Sequence, residues 1–92
     1  MADFDVPADL LELERDFLQL DDRCGKISAA LPSPLAVLEG KADPDPEGQA
    51  DLLEARSERL RIVEQIHRHP WWGGVSNRYD ASMALRRLAI RR

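Results

Sequence analysis

Residues 10–31 read LLELERDFLQLDDRCGKISAAL, and the spacing of their apolar members decides the fold. Leu10, Leu13, Phe17, Leu20, Cys24, Ile27 and Leu31 follow one another at alternating intervals of three and four residues. That spacing lays all seven along one face of a helix, as a heptad seam. Leu11 and Leu18 widen the stripe on one flank, which suits an ordinary core face as well as a coiled-coil dimer. Pro7 fits the first turn, Asp9, Glu12 and Glu14 complement the positive end of the helix dipole, and Asp22 and Lys26 form a favourable pair four apart. Pro32 stops the helix, so the first helix is expected over 8–31.

Working outward, residues 32–45 form a proline-rich linker with Pro32, Pro34, Pro44 and Gly40. Within it Leu35, Ala36, Val37 and Leu38 make an apolar knot. It reads as one helical turn folded back over the bundle end, the alternative being a docking segment for a partner. A second long helix is expected over 46–69, with Asp45 as cap, Pro46 in its first turn and Gly48 weakening its start. Leu53, Leu60, Val63 and His67 mark its main stripe, flanked by Leu52 and Ile66. Glu58 with Arg61 and Glu64 with Arg68 support its solvent face. Pro70 ends it, a Trp/Gly turn follows over 70–75, and a last helix is expected over 77–91. On that helix Ala81, Ala84, Leu85 and Leu88 share a face, and Met83 and Ile90 lie nearly opposite.

The fold class is therefore all-α: an antiparallel helical hairpin of two long helices plus a short C-terminal helix, in one domain spanning 1–92. A chain of 92 residues buries only about 60–65% of the surface its unfolded form exposes. Three helices leave the far half of the seam thinly covered, so completion as a bundle by homodimerisation is expected, or a complex with another helical protein. The net charge of −4 divides along the chain. Twelve acids and four bases fall in 1–50, and five acids and nine bases in 51–92, which makes the C-terminal end basic.

Few residues invite chemistry. His67 and His69, two apart on a helix, point about 200° away from each other and cannot share a metal there. His67 reads as a border residue of the core and His69 as a cation near the helix end. Asp21 and Asp22 face different ways, no serine has a nucleophile-elbow context, and Gly73 and Gly74 lack a phosphate-loop pattern. Neither catalysis nor a cofactor or metal is expected. Cys24, the single cysteine, reads as a small apolar residue on the first seam. No stretch reaches the roughly 20 apolar residues of a membrane span, and the acidic N-terminus lacks a signal-peptide layout, so a cytoplasmic location without membrane contact is the expectation.

What remains are surfaces. Trp71 and Trp72 are adjacent on a turn, and tryptophans either plug cores or form binding hot spots. The expected division is one ring anchoring the last helix and one offered to a partner. Arg86, Arg87, Arg91 and Arg92, with Arg78 before them, form a basic feature; basic residues near a helix C-terminus oppose its dipole, and a phosphate or an acidic partner is the functional alternative. The expected function is a small non-enzymatic interaction module, an adaptor or regulator, whose partner contacts Trp71, Trp72, Arg86, Arg87 and Arg91. A nucleic-acid-associated regulator using the basic C-terminal helix is the second reading, weakened because the arginines scatter around the helix. Trp71, Trp72 and Gly73 also resemble the Trp-x-Gly turn of small secreted helical-hairpin proteins. There the turn joins two long helices near mid-chain, whereas here the proline segment does so, and Tyr79 is followed four positions later by Met83 instead of an acid. That resemblance implies no function here.

Overall fold

The computed structural model describes residues 5–91, and all regular structure among them is helical. The long helices are α1 (Ala8–Ala30) and α3 (Pro46–His67), with a single short helix α2 (Pro34–Leu38) between them. A 3-10 turn (Pro70–Gly74) leads into α4 (Arg78–Ile90). The start of α3 is built as the sequence suggests, and α4 starts with a cap of the same kind. Asp45 accepts from the Gly48 N–H at 2.9 Å and Asn77 from the Asp80 N–H at 3.2 Å, each satisfying a donor that a helix start leaves orphaned.

α1 is the helix on which both α3 and α4 pack. Partners along α1 and α3 run in opposite order: Asp9 meets His69, Asp21 meets Arg59 at 2.8 Å, and Cys24 packs with Leu52 and Ala55. Two clusters result. Leu10, Ile66, Trp72, Ala81 and Leu85 are buried where α1, α3, the 3-10 turn and α4 converge. Cys24, Leu52 and Ala55 are buried further along, where only α1 and α3 are present. Cys24 is thus a core thiol facing alanine and leucine, as its place on the seam implied.

The buried face of α3 differs from the expected one. Leu53 and Leu60, read as its main stripe, are 68% and 60% exposed. The seam is instead Leu52, Ala55, Arg59, Ile62 and Ile66, spaced 3, 4, 3 and 4. The physical reason lies on α1, where Cys24 leaves room for only a small neighbour and Ala55 fills it, while Asp21 holds the Arg59 guanidinium at the seam edge. The linker differs as well. Residues 34–38 do form the expected helical turn, but Leu35 and Leu38 are exposed, so the knot does not seal the bundle end.

The result is a rod of 56 × 22 × 22 Å exposing 6979 Å². A compact monomer of 10.4 kDa exposes roughly 5,400 Å². The excess reflects helices packed side by side with no layer closing over them.

Gly48 shows how close the connection runs to α1. A Cβ there would lie 2.5 Å from Asp45 Oδ2 and 2.7 Å from Leu31 Cδ2. Gly→Ala in a helix ordinarily stabilises by about 0.5–1 kcal/mol, but here the methyl displaces the capping carboxylate, a bond of the kind worth about 0.5–2 kcal/mol. Gly48→Ala is therefore expected to destabilise by about 0.5 kcal/mol, measured by urea unfolding. A gain in stability would show that the cap and Leu31 move aside freely.

Candidate functional site

The turn after α3 is fixed by a chain of hydrogen bonds. His69 caps the 3-10 turn by accepting the Trp71 N–H at its Nδ1, 3.1 Å away. Its Nε2 is 3.0 Å from Asp9 Oδ2. An accepting Nδ1 leaves the ring proton on Nε2, so the neutral ring donates to Asp9 while it accepts from the turn. His69 is thus a bracket between α1 and the turn.

Asp9 gains most from this bracket, since the hydrogen bond from His69 holds its carboxyl below the ordinary value of 3.8. A depressed folded pKa contributes stability above the unfolded value and loses it as pH falls through the folded one. Asp9→Asn is therefore expected to lose stability less steeply with acid than wild type below about pH 4, where the two curves converge, and to stay below wild type by a constant amount above it. Parallel pH profiles would remove the bracket.

The tryptophans both lean inward, to different depths. Trp72 is buried and its Nε1–H donates to the Ile66 carbonyl at 2.7 Å, supplying the ring N–H partner that burial demands. Trp71 is half-buried against the same cluster and donates to the Asp5 carbonyl at 2.9 Å. The two rings meet edge to face, 4.9 Å between centroids. Trp72 is the anchor; Trp71 presents part of one face beside it.

Because α4 packs on α1 and not closely on α3, an open groove of about 580 Å³ runs between α3 and α4. Phe17, Ile66, Trp72 and Leu85 form its floor, with Val63 and His67 on the α3 side and Met83 on the α4 side. Two arginines stand over it. Arg78 lies 4.8 Å above the Trp72 ring, and Arg86 lies 5.9 Å from the Phe17 ring while its Nε is 3.4 Å from Glu14 Oε1. Glu14 is only 7% exposed, and Arg86 is its partner there. Both guanidinium groups lie near aromatic rings, and since Arg86 engages Glu14 through Nε, its terminal nitrogens and those of Arg78 are the groups that could meet an anion.

Of the residues expected to bind a partner, Trp72 and Arg86 are thus brought into one groove, and Trp71 borders it. Arg87 and Arg91 are exposed away from the groove-lining set, with the Arg91 carbonyl accepting from Arg15 at 3.4 Å, and Arg92 lies outside the described residues. Phe17 packs against the larger cluster, as its place on the α1 seam implies, and also floors the groove; sequence reasoning missed Val63, read as part of a core stripe, and Met83, read as lying opposite a core face, as groove-lining residues. Among the described residues, no group of three or more His, Cys, Asp or Glu side chains is placed to hold a metal ion, and no helix is long and apolar enough to cross a membrane.

These features define a small all-helical protein with an open, arginine-rimmed apolar groove. Residues 9–88 match a family described as a domain of unknown function, DUF8825, and the chain belongs to that family. No curated protein and no solved structure matches it.

Proposed function

We propose that this protein is a non-enzymatic protein–protein interaction module, an adaptor or regulator, built as an antiparallel hairpin of α1 and α3 with α4 laid on α1. Its working surface is the α3–α4 groove. The observation that carries this reading is an apolar floor left open between two helices, in the position a fourth helix of a bundle would fill. The groove brings one carboxylate among its lining residues, Glu14, and that group is committed to Arg86, which supports binding over acid–base work.

Photo-crosslinking tests the proposal. A photoreactive side chain at position 83 is expected to capture one defined protein, in competition with unlabelled wild type but not with a Leu60→Lys/Met83→Lys variant. Equal capture from position 28, an exposed site at the far end of α1, would sink the idea.

A second reading keeps the partner within the species. Leu53 and Leu60 are exposed and seven apart on one face of α3, a spacing suited to self-pairing into a four-helix arrangement. Light scattering over a roughly hundredfold concentration range decides it: a concentration-dependent dimer mass supports self-pairing, and a constant monomer mass removes it.

A further inference from the structure

The groove is an apolar surface feature that the packing of this chain leaves unused, and its shape and charge restrict what fits. Its apolar wall does not end at Val63. Leu60 and Leu53 continue the same face of α3, both exposed, so the apolar track extends about 15 Å along the helix beyond the groove. A small compact ligand would leave that track in water. An elongated occupant with apolar groups at helical spacing covers both the groove and the track.

Charge narrows the choice further. Arg78 and Arg86 line the groove and its one lining carboxylate, Glu14, is already paired, while Arg56 and Glu64 offset each other along the exposed α3 face. The rim is thus positive in a protein whose net charge is −4. A second copy is a poor match. Two grooves face to face would oppose like-charged arginines, and the acidic α1 of another copy has already turned its apolar stripe onto its own α3.

Resting on the reading of the groove as an interaction surface, we propose that its occupant is an acidic amphipathic helix of another protein. The apolar face of that helix lies on Phe17, Val63 and Met83 and continues over Leu60. Its carboxylates accept from the terminal nitrogens of Arg78 and Arg86, where a planar guanidinium can donate to a carboxylate in a two-point contact. Specificity comes from the arginines and contact area from the apolar floor.

The test uses two synthetic peptides of about 18 residues with the same heptad leucines, one carrying glutamate and the other lysine at the flanking positions. Binding to the intact protein is read by the anisotropy of labelled peptide and by the emission of the tryptophans. The glutamate peptide is expected to bind about tenfold or more tighter at low salt, and to lose that advantage as salt rises. In Arg78→Glu the preference is expected to fall or reverse, with Arg86→Gln as a milder second variant that leaves Glu14 a hydrogen-bond donor. Circular dichroism of each variant confirms that the helices remain. Equal binding of both peptides, abolished by Leu60→Lys/Met83→Lys, would overturn the acidic partner and leave the groove reading standing. Failure of both peptides to bind folded wild type would overturn the proposal for this groove outright.

Discussion

Trp72→Ala is expected to lower the unfolding free energy by about 3–5 kcal/mol, the range for removing a buried aromatic side chain. The ring belongs to the larger buried cluster with Leu10, Ile66, Ala81 and Leu85, lies under Arg78 and meets Trp71 edge to face. Its loss also leaves the Ile66 carbonyl without the indole donor. A domain of this size has a total stability of about 5–14 kcal/mol, so the variant is expected to be partly unfolded near body temperature. Trp72→Phe keeps most of the ring area and loses the hydrogen bond, and is expected to cost only about 1 kcal/mol beyond the change in packing. Thermal melts followed by circular dichroism make the comparison. If the alanine variant melts within a few degrees of wild type, the 3-10 turn is not what holds α4 to the rest.

The second large effect concerns neighbouring leucines with opposite fates. Leu52 is 5% exposed in the cluster with Cys24 and Ala55, whereas Leu53 faces solvent. Leu52→Ala is expected to cost about 2–5 kcal/mol, and Leu53→Ala less than about 0.5 kcal/mol. Urea unfolding of the two variants reads the rotational phase of α3 directly. Equal losses would mean that α3 presents a different face to α1, and a larger loss at Leu53 would restore the stripe of Leu53, Leu60 and Val63 as core. Either result would also remove the exposed track on which the peptide proposal depends.

α3 also shows where sequence periodicity stops being informative. Two heptad phases compete on it, one through Leu53, Leu60 and Val63 and the other through Leu52, Ala55, Arg59, Ile62 and Ile66. The first carries the more obvious leucines, and the second contains an arginine. A step of one residue turns the face by about 100°, so choosing the wrong phase exchanges core and surface along the helix. Nothing within α3 breaks the tie. The choice depends on Asp21 and Cys24 of α1, residues that become neighbours only once the helices pair. Glu14 is a similar case. Its place near the start of α1 reads as a solvent charge for the helix dipole, yet α4 brings Arg86 over it and buries it.

The sequence by itself determined the helices: the unbroken three-and-four spacing of α1, the stops imposed by Pro32 and Pro70, the cap at Asp45, and the division of α4 into a face of Ala81, Ala84, Leu85 and Leu88 and an opposite Met83 face. These are local properties, decided by neighbours within one or two turns of the same backbone. Only the tertiary structure decided the face α3 buries, the inward lean of both tryptophans and the groove itself. Each depends on contacts between residues far apart in the chain, above all the docking of α4 on α1 instead of α3, which leaves an apolar floor open beneath Arg78 and Arg86.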